Sequence, residues 1–328
     1  MTLPELAERQ LADYDLRHPD TLFSQNGQPA LTLEEAYRLQ FMVARLRERR
    51  GEAVAGYKVG CISPVMQAQL AIDRPVFGHI FASELHRSGA ILDPQQYDGL
   101  AIEGEFGIRL ARDIPGAAWL HGHRDEVLAS GFAVIELHNY ALRNSPHTAQ
   151  ELIGNNAIHA GVVLPLQAPG PPAQAHNRPP IGSPAAAGES AVRGASEESS
   201  GSRFEELLDE PISVFRNHER LGTATARALP EGPFGSLMRL AQHLEGYGCC
   251  LRRGQLILTG SPLGLYRVAD GDTIQVVCDR LGGRVSATIA GSDGRLAHRH
   301  KKRLRRGGVV SQRDGVVQPD PGGPEIEQ

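Results

Sequence analysis

The chain has little of what most partner and cofactor classes require. Four cysteines among 328 residues, Cys61, Cys249, Cys250 and Cys278, show no C-x-x-C spacing, and two are adjacent. This argues against a disulfide framework and against a cysteine-built zinc site. No run approaches the roughly 20 apolar residues that a bilayer span needs. Glu5, Glu8 and Asp13 fall where a signal peptide needs an apolar stretch. A cytoplasmic protein with no membrane partner is expected. There is no excess of basic charge either: 34 Lys and Arg against 38 Asp and Glu give a net charge of −4, which disfavours nucleic acid as a partner. Walker A, the nucleotide-binding glycine fingerprint and G-x-S-x-G are all missing, which sets aside nucleotide-dependent and serine-hydrolase chemistry. No internal repeat is visible.

What is present falls into distinct textures. Over residues 3–50, Leu6, Leu11, Ala36, Leu39, Phe41, Val43 and Leu46 recur at near-helical spacing, and Thr32 with Glu35 forms a capping box. This gives an N-terminal helical segment, 1–55. From residue 53 short apolar runs broken by Gly and Pro predict short strands and tight turns. Strands are expected over 100–110, 132–137, 157–164, 255–259, 273–278 and 284–289, with helices over 124–130 and 234–247. The main domain, 56–290, is interrupted at 168–203, where prolines sit among Ala, Gly, Ser and Glu with almost nothing to bury. That stretch is expected to be a disordered insertion. Beyond 291 the chain reads as a basic and polar tail, 291–328, whose run at 298–306 lacks interleaved aromatics.

The most informative segment is Glu103-Gly104-Glu105 inside an otherwise apolar strand. Strand side chains alternate, so positions two apart share a face and the two carboxylates stand side by side. Either one is protonated or a cation lies between them, unless the face is merely solvated. Gly104 leaves the opposite face bare, which suits close packing by a neighbour. Glu136 closes a second apolar run, where a lone buried charge is costly. Three carboxylates on adjoining strands would suit Mg²⁺ or Mn²⁺. Lys58, between Tyr57 and Val59 and flanked by Gly56 and Gly60, either meets a bound anion in a solvated pocket or serves as an edge-strand solubiliser. His138, two residues past Glu136, is a candidate general base or a hydrogen-bonded strand-end histidine. His159 either lines the same pocket or is a satisfied core histidine. The pairs His121/His123 and His298/His300 have chelating spacing but lie in polar, loop-like sequence.

Taken in order, Gly56 to Ser63, Gln67-Ala68-Gln69-Leu70 and Pro75-Val76-Phe77-Gly78 resemble the 2-keto-4-pentenoate hydratase branch of the fumarylacetoacetate hydrolase superfamily. Ile102-Glu103-Gly104-Glu105-Phe106 is similar to that family's E-x-E metal motif, and Val134-Ile135-Glu136-Leu137 to the strand bearing the third carboxylate. Leu258 to Pro262 and Val268 to Asp272 are similar to its C-terminal motifs. The resemblance spans about residues 3–289, apart from the insertion. It implies an α+β fold, a mixed β-roll catalytic domain with the N-terminal helical segment, and a homo-oligomer. It further implies Mg²⁺ or Mn²⁺ held by Glu103, Glu105 and Glu136, Lys58 and His138 as catalytic groups, and Ser63, Thr259 and Gly260 against a 2-oxo acid substrate. The implied activity is a hydro-lyase adding water to a 2-hydroxy-2,4-dienoate in aromatic-compound catabolism. Alternatives on the same cradle are a 4-oxalocrotonate decarboxylase, an acylpyruvate C–C hydrolase, or a noncatalytic relic that binds an oxo acid. Three positions depart from the pattern: Val76 and Asn155 stand where the hydratases usually carry Asp, and His138-Asn139-Tyr140 replaces Asp-Ser-Arg.

Overall fold

Eleven residues of mostly apolar sequence, 100–110, can pair along their full length only with another long strand, and the fold is organised around that pairing. The computed structural model describes residues 1–18, 21–23, 30–140, 142, 148–168, 203–279 and 283–291, all within one compact unit, 1–291. Apart from residues 168, 203 and 291, the expected insertion and tail lie outside the described residues.

The helices are α1 (Leu3–Asp15), α2 (Leu33–Arg49), α3 (Pro64–Gln69), α4 (Ala117–Leu120), α5 (Ala149–Gly154), α6 (Arg203–Leu208) and α7 (Gly232–Glu245). The strands are β1 (Val54–Gly60), β2 (Val76–Phe81), β3 (Leu85–Arg87), β4 (Ala90–Leu92), β5 (Leu100–Leu110), β6 (Leu128–Asn139), β7 (His159–Leu164), β8 (Pro211–Arg216), β9 (Glu219–Thr225), β10 (Leu256–Leu258), β11 (Tyr266–Arg267), β12 (Thr273–Cys278) and β13 (Gly283–Ile289). Together they give an α+β architecture of two mixed sheets. The larger runs β2-β1-β10-β5-β6-β7-β3, with β11 also on β5, and the smaller runs β4-β13-β12-β8-β9. The antiparallel β5–β6 pair lies at the centre of the larger sheet.

Period-two alternation sorts β5 and β6 into two faces. Ile102, Phe106, Ile108, Ile135 and Leu137 enter the main core with Ile212, Val214, Ile274 and Val276 of the smaller sheet. Gly104 lies on that face, where an added Cβ would come 2.5 Å from Val214 Cγ2. The opposite face carries the polar side chains described below.

The N-terminal segment is tied to the sheet by polar contacts as well as by packing. Thr32 caps α2 through a reciprocal box with Glu35. Gln40 donates to the carbonyls of Phe77 (2.9 Å) and Ile153 (2.8 Å). Arg47, buried over the Phe81 ring, pairs with Glu52 at 2.6 Å and Glu84 at 2.7 Å. Tyr14 of α1 donates to the same Glu84 at 2.7 Å.

Two expectations need correction. Residues 124–130 form no helix beyond a single 3₁₀ turn, Arg124–Glu126, and β6 begins at Leu128. Strand β6 also outruns the apolar stretch 132–137, because pairing with the long β5 recruits the flanking residues on both sides. Strand β9 went unread because it is largely polar and open to solvent, so no alternation marks it.

The contact under Gly104 makes a definite prediction. Gly104→Ala should overpack the space between the sheets and cost about 1–3 kcal/mol, read as a lower urea midpoint. An unchanged midpoint would mean that the smaller sheet yields there.

Candidate active site

Register places the acidic groups. Glu103 on β5 stands directly opposite Glu136 on β6, and Glu105 follows two residues on. Directly opposed residues share a face, so Glu103, Glu105, Glu136 and His138 all project from the side of the sheet away from Gly104. Lys58 joins them from β1, across β10, where it pairs with Leu258. The glycines around Lys58 leave room for it: a Cβ at Gly78 would lie 3.2 Å from Lys58 Cγ, and one at Gly60 3.0 Å from its Nζ.

The cluster is nearly dry. The Glu136 side chain is 0% exposed, His138 2%, Lys58 4% and Glu103 20%, so Glu103 marks the solvent side. Lys58 Nζ lies 3.4 Å from Glu136 Oε1 and donates to the Ala157 carbonyl at 3.2 Å. His159 Nδ1 donates to Glu136 Oε1 at 2.7 Å. His138 Nε2 lies 3.2 Å from Glu103 Oε2 and 3.6 Å from Glu136 Oε2. Gly260 N–H donates to Glu105 Oε2 at 3.1 Å, from a backbone at φ +97° that only glycine adopts readily.

These surroundings push the two central carboxyls apart. Burial raises the Glu105 carboxyl well above the usual range, and the negative charges of Glu136 and Glu103 raise it further. Burial acts the same way on Glu136 but is outweighed by Lys58, His138 and His159, which hold its carboxyl well below that range. Burial alone would lower the Lys58 ammonium; Glu136, Glu103 and Glu105 more than offset it, and the net shift is upward. The surroundings thus push two neighbouring carboxyls in opposite directions.

A divalent cation fits this donor set. Glu105 Oε1, Glu136 Oε2 and both ring nitrogens of His138 are buried without hydrogen-bond partners among the described residues. Glu103, Glu136 and His138 each offer one donor atom, all within 4.8 Å of one another. An oxygen-rich group open on one side suits a hard or borderline ion.

The other sequence-derived candidates are placed differently. Ser63 Oγ accepts from Met66 N and caps α3. Thr259 Oγ1 donates to the Phe106 carbonyl at 3.0 Å, fixing the turn that presents Gly260 to Glu105. Val76, where the hydratases usually carry Asp, is buried in the main core. Lys58 is buried rather than in a solvated pocket, because its charge is matched inside the cluster.

Sequence reasoning missed the backbone behind Lys58 and left open the reach of His159. Asn156, Ala157 and Ile158 are consecutive at φ +54°, +52° and +55°, strained for residues with side chains. Asn156 secures that run by clamping the His79 backbone, accepting from its N–H at 2.7 Å and donating to its carbonyl at 2.8 Å. The result aims the Ala157 carbonyl at Lys58. A register shift between Leu137 and His138 then sets His159 opposite His138, so the irregularity turns His159 towards Glu136.

No family model matches the chain. It is 25% identical over 262 residues to 2-hydroxyhexa-2,4-dienoate hydratase of Comamonas testosteroni, covering 78% of this chain and 86% of that one. It is 27% identical over 256 residues to 2-keto-4-pentenoate hydratase of Burkholderia vietnamiensis, covering 77% and 85%. Its fold matches that of 4-oxalocrotonate decarboxylase from Pseudomonas putida G7, solved with magnesium and adipate. That match has a TM-score of 0.66 and 20% identity over 88% of this chain and 97% of that one. The chain is thus similar in sequence to 2-keto-4-pentenoate and 2-hydroxyhexa-2,4-dienoate hydratases and shares the fold of 4-oxalocrotonate decarboxylase.

Proposed function

We propose that the protein is a metal-dependent hydro-lyase that adds water to a 2-hydroxy-2,4-dienoate in the breakdown of aromatic compounds. The observation that carries this reading is the buried cluster of Glu103, Glu105, Glu136, His138 and Lys58 on one sheet face, in a relative of such hydratases. Glu103, Glu105 and Glu136 would hold Mg²⁺ or Mn²⁺. Bound there, the ion would polarise a keto oxygen and stabilise developing negative charge.

The chain's own groups supply the rest. The fixed charge of Lys58 neutralises a substrate carboxylate or enolate, and its link to the Ala157 carbonyl holds the ammonium in place. The Gly260 N–H, donating to Glu105 Oε2, fixes that carboxylate for the ion. Burial of the cluster keeps bulk water from competing for these groups. Gly260 lies against Glu105, Thr259 fixes its turn through the Phe106 carbonyl, and Ser63 caps α3 just past the end of β1. With Val76 replacing the usual Asp, proton handling falls to the groups of this cluster. A homo-oligomer, which the resemblance implies, is the proposed assembly. Among the described residues no helix is long and apolar enough to cross a membrane.

A substrate panel tests the reaction. With Mg²⁺ or Mn²⁺, 2-hydroxydienoates should yield hydrated 2-oxo acids, identified by mass spectrometry. Release of CO₂ from a 2-oxo diacid would instead make the chain a decarboxylase, and cleavage of an acylpyruvate a C–C hydrolase. Inertness with every class would leave an oxo-acid-binding relic.

Lys58→Met tests the charge. Loss of one charged hydrogen bond should cost about 1.5–3 kcal/mol in the transition state, roughly tenfold to more than a hundredfold in kcat/KM. Unlike a surface lysine, this one should also matter to folding, because removing one partner of a buried pair costs up to about 3–5 kcal/mol. The sign with pH follows from Glu136. Its carboxyl pKa is lowered in the folded state, so its contribution is present above the unfolded value of about 4.3 and is lost as pH falls. In chelator, the Tm deficit of Lys58→Met should therefore be largest above about pH 5 and shrink in acid. A deficit independent of pH, or full activity, would reject the role.

A further inference from the structure

We infer that His138 is itself a ligand of the cation, so that the site is a mixed nitrogen–oxygen one that favours first-row divalent ions such as Mn²⁺ over Mg²⁺. This rests on the metal-dependent reading above and adds a donor that the E-x-E motif does not contain.

The geometry is that of donors around one ion. His138 Nε2 lies 3.2 Å from Glu103 Oε2 and 3.6 Å from Glu136 Oε2. Two ligands at right angles, each about 2.1 Å from an ion, stand about 3 Å apart, so small side-chain shifts close the set. His138 is buried, and its Nε2 lies within ion-pair distance of both carboxylates. Yet neither ring nitrogen makes a hydrogen bond of proper geometry among the described residues, and nor does Glu136 Oε2. A buried polar ring left in that state is costly. A cation shared with Glu103 and Glu136 satisfies the imidazole and the carboxylate together. Glu105 is less free to do so, since its Oε2 accepts from Gly260 N–H and only Oε1 remains uncommitted.

Position explains why the histidine reaches the cluster. It is two residues from Glu136 on β6, so it shares that face, and its opposite number on β5 is Ala101, whose small side chain does not crowd it. The consequence is chemical. Mg²⁺ sheds water reluctantly and prefers oxygen, whereas affinity for a nitrogen donor rises along the first-row series from Mn²⁺. An imidazole in the set therefore tilts the site away from Mg²⁺. It also takes His138 out of the role of free proton shuttle expected from the sequence.

The test uses the full chain, stripped with chelator and loaded with Mn²⁺. Pulsed electron paramagnetic resonance should show coupling of the manganese to an imidazole ¹⁴N. The coupling should vanish in His138→Gln and persist in His159→Gln, a necessary control because His159 also touches Glu136. By calorimetry, affinity for Mn²⁺ should fall in His138→Gln by at least the roughly 10- to 100-fold that loss of an outer partner costs a metal site, and by more than affinity for Mg²⁺ falls. Stoichiometric Mn²⁺ without nitrogen coupling would overturn the role of His138 and leave the metal-dependent function standing. Failure to bind any divalent ion would overturn both. If His138→Gln does not fold, the spectra of the wild type and His159→Gln decide: a signal lost in His159→Gln assigns the nitrogen to His159 and overturns the inference.

Discussion

A carboxylate with no exposed surface, Glu136, stands on the central strand pair within reach of Lys58, His138 and His159. An ionised group so placed costs several kcal/mol unless charges and hydrogen bonds nearby offset it, and much of the surrounding structure answers that requirement. Strand β1 brings Lys58, and Gly60 and Gly78 leave it room. The β6–β7 irregularity brings His159. The left-handed run 156–158 turns the Ala157 carbonyl to the Lys58 ammonium, and Asn156 holds that run against β2.

The same arrangement gives the site its reactivity. Compensation is concentrated on Glu136, so at Glu105 burial and two neighbouring negative charges outweigh the Lys58 charge and the Gly260 N–H. The two neighbouring carboxyls are thereby pushed in opposite directions. The positive group that stabilises Glu136 is also the one proposed to meet an anionic substrate, so on that proposal stability and function draw on one lysine. Behind the sheet, Gly104 lets the smaller sheet pack closely against the strand that carries both glutamates.

Much of this was legible in the sequence where a short period governs. Alternation placed Glu103 and Glu105 on one face and assigned Gly104 to the other, and the ends of the long β5 followed from its apolar run. Thr32 and Glu35 announced α2. Other features depend on tertiary register and leave no local mark. Nothing in Asn155 to Ala160 signals three left-handed residues or the slip that turns His159 to Glu136. The burial of Lys58 was hidden because its compensating carboxylate lies on β6, far along the chain. The extension of β6 through residues 128–131 came from its partner strand, not from its own composition.

The central claim is that one buried carboxylate organises a cation site as well as the charge network around it. Calorimetric titration of chelator-stripped protein with Mn²⁺, comparing the wild type with Glu136→Gln, tests it most directly. The expected result is stoichiometric binding in the wild type and no measurable binding in a variant that is still folded. Equal stoichiometry and affinity in the two proteins would contradict it.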